Sequence, residues 1–402
     1  MFKKNNFFEY YFNNSKVYRR NIEKTGKVFK DLKLDIENGE IPLIESYQKE
    51  YQFDFTFQKI KKFSACKNVI IIGVGGSILG AKTIYSFLKK RTNKKLFFFD
   101  NLDTNLYFDY KNIKNIKNSC FVVVSKSGNT IETITNLNII FSKKLVKNRL
   151  IIITELKDSS LMDIANDYNA EIIEHREFIS GRYSALSEPG MLPAALMGLN
   201  LGNFKNLKKF LKDKSFVSAL IKNVASIYTL NVKKIKNSII ISYDSDLNDL
   251  GCWYQQLVAE SLGKKGKGIN PSLSFGPKDH HSLMQLYLDG PKDKFFTFFS
   301  SKEKGINLSI KNSLVPKKLS FLKNKSLGNI ITAQCEAVKK VFKLKKIPYR
   351  EFIFNEKKEK NLGEILTFFV LETILLARLM KIDPFNQPAV ELVKNETEKL
   401  LK

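Results

Sequence analysis

The stretch KNVIIIGVGGSILGAKTIYSFLKK, residues 67–90, decides the fold. It begins as a continuous apolar run of strand length, passes through a Gly-rich turn, and continues as an amphipathic helical pattern. A strand with no polar alternation is covered on both faces, the condition of a parallel sheet flanked by helices. LFFFD (96–100), CFVVVSKSGNT (120–130) and LIIITE (150–155) are three further runs of the same kind, each leading into polar turn residues and a helical stretch. Together they predict a doubly wound α/β domain. Residues 1–62 read as polar helices with irregular connections.

After a Gly/Asn break at 201–203 and a Lys-rich helical connector, SIIISYD (238–244), KFFTFFS (294–300) and PYREFIF (348–354) read as further strands. Helices are expected at about 247–262, 326–343, 361–380 and 388–401. The expected fold class is therefore α/β, with two doubly wound, mainly parallel-sheet domains and helical segments at both ends. The division falls at 1–202 and 203–402, and the two halves show no obvious sequence repeat.

The 402 residues carry 67 Lys+Arg against 40 Asp+Glu, a formal net charge of +27. With 43% hydrophobic and 12% aromatic residues the chain has the apolar surface to build cores, which excludes intrinsic disorder. Cys66, Cys120, Cys252 and Cys335 are scattered without a CxxC pair, which fits a reducing cytosol and burial as small hydrophobes. The opening MFKKNNFFEYYFNNSK lacks an apolar signal core, and LTFFVLETILLARLM (366–380) contains Glu372 and Arg378 and falls short of a membrane span. A soluble, cytoplasmic protein with no membrane partner is expected. The lysines are spread along the whole chain, so a nucleic-acid partner is not expected, and the excess charge reads as solvated surface.

The turn Gly73, Val74, Gly75, Gly76, Ser77 sits where open α/β sheets bind ligands, outside the carboxyl end of a strand. Asp100 ends the next strand, where a ribose-binding acid would sit, but a dinucleotide fingerprint needs Gly at the position of Ile78. A dinucleotide site, a phosphate cradle and a purely structural turn all remain open there. Ser125, Lys126, Ser127, Asn129 and Thr130 lie between a buried strand and a helix; backbone N–H groups, hydroxyls and one cation suit a phosphate, and an ordinary capping turn would look similar. Glu260 stands near the end of an amphipathic helix, where a surface position is equally compatible with the pattern. His280 and His281 are neighbours whose side chains diverge, so no shared metal is expected and one of them is the better candidate for acid/base work. His175 reads as structural.

Six blocks now act together: IIGVGGSILGA (71–81), VVSKSGNTIET (123–133), SGRYSALSEPGMLPAA (180–195), QQLVAESLGKKGKGINP (255–271), GPKDHHSLMQLYLDGPKDK (276–294) and DPFNQPAVELVK (383–394). In this order they closely resemble the glucose-6-phosphate isomerase family, built on two sugar-isomerase α/β domains. The resemblance implies that Glu260 is the base moving a proton between C2 and C1 of the open-chain sugar. It further implies that His281 opens the ring from the partner subunit of a homodimer, that Lys394 assists ring opening, and that Arg182 stabilises the charged intermediate. Ser125, Lys126, Ser127 and Thr130 match the family's phosphate loop, and Gly76, Ser77, Gln256 and Gln387 match its other substrate contacts. No cofactor and no metal is implied.

The chemistry explains the residue types. Opening a hemiacetal takes an acid and a base, and removing a carbon-bound proton beside a carbonyl takes a carboxylate with a fixed cation for the developing enediolate. Phosphate binding remote from the reacting carbons supplies orientation. Ser180, His280, Asn386, Ala389 and Val393 depart from the family pattern at positions where Gly, Gln, Asp, Gly and Gly are usual, and His280 remains a second candidate for the role of His281. The expected reaction is the interconversion of glucose 6-phosphate and fructose 6-phosphate in glycolysis and gluconeogenesis. An isomerase that also accepts mannose 6-phosphate and a non-catalytic sugar-phosphate-binding regulator are the alternatives.

Overall fold

A computed structural model of the chain describes residues 3–5, 8–12, 15–114, 116–141, 148–302 and 308–402. The Gly-rich turn leaves strand β2 (Asn68–Ile72) and enters helix α2 (Gly76–Leu88), as the apolar-to-amphipathic switch requires. Strands β3 (Lys95–Phe99), β4 (Ser119–Val124), β5 (Leu150–Thr154) and β6 (Glu171–Glu174) complete a parallel five-stranded sheet in the order β3-β2-β4-β5-β6. Alternate residues of β2 serve opposite faces. Val69 and Ile71 join a core shared with the second half of the chain, whereas Ile70 and Ile72 pack with Phe99, Phe121, Leu137 and Leu161. Burial on both faces accounts for the unbroken apolar runs.

The second sheet runs β1-β10-β9-β7-β8, from β1 (Lys3–Asn5), β7 (Asn237–Ser242), β8 (Asn270–Phe275), β9 (Lys294–Ser301) and β10 (Tyr349–Phe354). Only β1 is antiparallel, against β10. Its Ile240, Phe295, Phe299, Phe352 and Phe354 point into the same shared core as β2. Helix α5 (Asn248–Leu262), which follows β7, packs on α2, where Thr83 Oγ1 donates to the carbonyl of Asp249 at 3.0 Å. The two sheets thus meet through the helices that follow their first parallel strands.

The sequence expectation omits β1, β6 and β8. β6 is the four-residue edge of its sheet and β8, NPSLSF, is an edge strand holding Pro271; such strands lack the apolar run by which central strands announce themselves. Helix α1 (Lys16–Glu37), capped by Ser15, lies against the second half: Asn21 Nδ2 donates to Thr229 Oγ1 of α4 (Lys214–Val232) at 2.9 Å. The remaining long helices are α6 (Leu327–Leu344), α7 (Glu359–Met380) and α8 (Ala389–Leu401). The apolar segment 366–380 is the buried interior of α7, and among the described residues no helix is long and apolar enough to cross a membrane.

Candidate active site

In the first sheet the chain leaves β2 to one side for β3 and returns on the other side for β4, so the strand order reverses between β2 and β4. Open α/β sheets bind ligands outside the carboxyl ends of strands at such a point. Gly73 lets the two turns touch here: a Cβ on it would lie 2.8 Å from the carbonyl oxygen of Val124, the residue before Ser125. Gly76 does the same for a third element, since a Cβ there would stand 2.1 Å from the carbonyl carbon of Gly181 and 2.5 Å from the amide nitrogen of Arg182.

Arg182 lies in the short turn Gly181–Leu186 and is 1% exposed. Its guanidinium is held on every side. Nε donates to Ser261 Oγ at 2.9 Å, Nη2 to the carbonyls of Pro384 at 2.6 Å and Asn386 at 3.2 Å, and Nη1 to Gln387 Oε1 and to Glu260 Oε2 at 3.2 Å. Ser261 is shared with the hydroxyl of Tyr183 at 2.9 Å. A planar fork with five donors is the one side chain that fits this set of acceptors.

Glu260 occupies the last turn of α5, and its side chain is 28% exposed. Gln256, one turn earlier, donates Nε2 to Glu260 Oε1 at 2.7 Å and also abuts Gly75. Helix α5 is fixed from behind: the hydroxyl of Tyr254 donates to Glu372 Oε1 at 2.9 Å and accepts from Arg350 Nη2 at 2.8 Å, while Arg350 forks onto Glu372. All three residues are buried.

On the β4 side, Ser125 Oγ and Thr130 Oγ1 are 2.7 Å apart, and α3 (Ile131–Phe141) starts directly after Thr130. Lys126 Nζ donates to the carbonyl of Glu177 at 2.5 Å and lies 3.6 Å from Glu155 Oε1. Ser127 Oγ accepts from the amide of Asn129 at 3.3 Å. This turn of hydroxyls, helix N-terminus and one lysine has the donor set of an anion site. Behind it His175 is buried, and burial, with a contribution from Lys126, pushes its imidazole down to about 4, so it is neutral near neutral pH.

The structure therefore gathers Gly76, Arg182, Gln256, Glu260 and Gln387 into one contact network, with Ser77 on the first turn of α2 and the Ser125–Thr130 turn adjoining through Gly73 and Val124. It does not join His281 or Lys394 to that network. Lys394, with its side chain 59% exposed on α8, pairs with Glu391 Oε1 at 2.7 Å. His281 is exposed, and its ring makes no hydrogen bond among the described residues. His280 differs: its Nε2 is 2.5 Å from the hydroxyl of Tyr243. Burial raises the phenol and lowers the imidazole, which His281 lowers further, so the hydrogen bond joins two neutral side chains. Asp100, the candidate ribose acid, pairs instead with Lys82 at 2.6 Å. Tyr183, Ser261 and the carbonyls that hold Arg182 escape sequence reading, because neither hydroxyl spacing nor backbone acceptors carry a pattern; Tyr183 and Ser261 do flank Arg182 and Glu260 directly in sequence.

Two doubly wound, mainly parallel sheets, with this donor turn beside a carboxylate–guanidinium pair at the strand-order reversal of the first, define the class of sugar-isomerase α/β proteins. Residues 52–276 match the sequence profile of the Phosphoglucose isomerase family. A glucose-6-phosphate isomerase of Methanocaldococcus jannaschii is 31% identical across 98% of both chains, and one of Mycoplasmopsis synoviae is 28% identical across 89% of this chain and 87% of its own. Among solved structures, a hypothetical protein of Thermus thermophilus superposes with a TM-score of 0.84 at 22% identity over the full length of both chains. A glucose-6-phosphate isomerase of Chlamydia trachomatis superposes at 0.67 and 19% identity, over 86% of this chain and 72% of its own. This chain belongs to the phosphoglucose isomerase family.

Proposed function

We propose that the chain interconverts glucose 6-phosphate and fructose 6-phosphate, an aldose–ketose isomerisation of glycolysis and gluconeogenesis in the cytoplasm. The observation that carries this is the contact of Glu260 with the buried Arg182 at the strand-order reversal, in a member of this family. Neither the wider mannose 6-phosphate reading nor the non-catalytic reading is favoured by the family membership.

In this scheme the sugar phosphate is held by Ser125, Lys126, Ser127 and Thr130, and its reacting end lies along Gly76, Ser77 and Gln256. Glu260 takes the proton from C2 and returns it to C1. Arg182, already fixed by neutral acceptors on one side and by Glu260 on the other, supplies positive charge beside the enediolate oxygen from a preorganised position. Gln387 orients Arg182 and borders the substrate. Ring opening falls to His281, supplied by a second copy in a homodimer, with Lys394 assisting. The exposed, unbonded ring of His281 supports a role across an interface. Lys394 rides on α8, which begins just after the Pro384–Gln387 segment that Arg182 holds. The division into 1–202 and 203–402 is proposed to stand for the two sheets, with β1 and α1 crossing to the second half.

The direct test is a coupled assay of purified protein with fructose 6-phosphate. Glucose 6-phosphate should appear; a protein that binds the ligand but forms no product would leave only a binding role. Subunit mixing tests the dimer: Glu260→Gln and His281→Ala chains, each inactive alone, should regain part of the activity together. Failure despite demonstrated subunit exchange would place the site within one chain.

A further inference from the structure

We infer that Tyr243 and His280 form a latch that positions the loop carrying His281 for ring opening; this rests on the role proposed for His281 above. Tyr243 follows directly on β7, with its amide donating to the carbonyl of Phe299 at 2.9 Å and its ring stacked on Phe298 at 6.1 Å and 17°. It is therefore part of the rigid sheet. From that anchor its hydroxyl reaches His280 Nε2 at 2.5 Å, and the two rings meet edge to face at 5.7 Å.

The loop is shaped to receive this ring. A Cβ on Gly276 would fall 2.7 Å from the Tyr243 ring, so only glycine allows the backbone to pass there. Asp279 closes the loop on itself, accepting from the amide of Phe275 at 2.7 Å, from Ser274 Oγ at 2.9 Å and from Ser282 Oγ at 3.0 Å. His280 ends the 3-10 turn Lys278–His280, and in such a turn successive side chains diverge by about 120°. Turning His280 inward onto Tyr243 therefore sends His281 outward, where its ring is exposed and unbonded. His280 is an anchor in this arrangement and His281 the free acid/base, in keeping with the role that the family resemblance gives to His281.

The latch acts through His281, so its loss should appear only where ring opening is needed. The test compares fructose 6-phosphate with 5-deoxyfructose 6-phosphate, which keeps the full chain length but has no hydroxyl able to close a ring on C2, using Tyr243→Phe, His280→Ala, His280→Gln and His281→Ala. Tyr243→Phe keeps the ring packing and removes only the hydroxyl, and melting curves confirm that each variant is folded. Tyr243→Phe and His280→Ala should lower kcat on fructose 6-phosphate about tenfold with little change in KM, as expected when a catalytic group is misplaced. Both should turn over the deoxy substrate at the unmodified rate. His280→Gln, whose amide still reaches the hydroxyl, should retain activity on both. Equal loss on the two substrates, or an unchanged kcat for Tyr243→Phe, overturns the latch. If His281→Ala itself slows both substrates alike, the ring-opening role of His281 falls and the latch falls with it.

Discussion

Arg182 Nη1 donates to Glu260 Oε2 at 3.2 Å while Gln256 Nε2 holds Glu260 Oε1 at 2.7 Å. Both carboxylate oxygens are thus oriented by donors from different elements. The base and the cation proposed for the intermediate are held as one hydrogen-bonded unit. Position is what this chemistry needs, because the proton to be moved belongs to a carbon and the acceptor must already be in place.

Glu260→Gln keeps the size and the contact with Arg182 and removes the ability to take that proton. The expected loss of kcat is about 10²–10⁴-fold, the usual contribution of a general base. Affinity for a phosphorylated sugar acid should change by less than about threefold, since uniform binding does not depend on proton transfer. Solvent deuterium incorporation at C2 and calorimetric binding measure the two quantities separately. Binding that falls together with turnover would make Glu260 a structural residue.

Arg182→Lys tests whether charge or geometry matters at that position. An ammonium cannot reach Ser261, Pro384, Asn386 and Gln387 together, so acceptors buried around Arg182 lose their donor. A stability loss of about 1–3 kcal/mol follows from the unmet acceptors. A drop in kcat of about 10²–10³-fold follows from the displaced charge. Denaturant unfolding and steady-state kinetics give both numbers. A kcat within about threefold of the unmodified protein would show that positive charge alone suffices.

The central strands are legible because each is buried on both faces and writes an apolar run, as in NVIII of β2 and SCFVVV of β4. Of the edges, β3 still writes the run LFFF, but Glu171–Glu174 and Asn270–Phe275, each ordered by one neighbour, have compositions that reflect solvent and turns. In the site, Glu260 and Arg182 are reachable through their blocks, yet what holds them is not. Tyr183 and Ser261 are ordinary hydroxyl residues until the fold places them 2.9 Å apart beneath a guanidinium. His280 and His281 show the same limit, since adjacent identical letters become an anchor and a free ring only when Tyr243 arrives from 37 residues away.

His175 makes stability depend on acid. Its imidazole is buried, and burial holds it at about 4, against about 6.5 for an unfolded chain. The unfolded state therefore binds more protons between those values, and stability falls as pH drops from about 6.5 to about 4. The difference of about 2.5 units corresponds to about 3 kcal/mol at most. Denaturant unfolding at pH 7 and pH 4.5 should show this loss, and His175→Gln should flatten the slope in that window. An unchanged slope would mean that other groups carry the acid sensitivity.

Lys205 extends the same reasoning to higher pH. It is 2% exposed, its Nζ has no hydrogen-bond partner among the described residues, and it lies 3.8 Å from the centre of the Phe53 ring and 4.3 Å from that of Tyr51. Burial lowers the amine to about 7, with Glu188 pulling the other way. An unfolded lysine titrates at about 10.4, so the protonated side chain penalises the fold fully below pH 7, and the penalty is relieved as pH rises from about 7 to about 10.4. Contact with two aromatic faces offsets part of it. Lys205→Met keeps the length and apolar stem without the charge, and should raise stability at pH 6 by about 1–3 kcal/mol. The gain should shrink as pH rises, because the lysine itself becomes neutral there. Unfolding curves at pH 6 and pH 9 decide it: a variant less stable than its parent at pH 6 would mean that the aromatic contacts outweigh the cost of burying the charge.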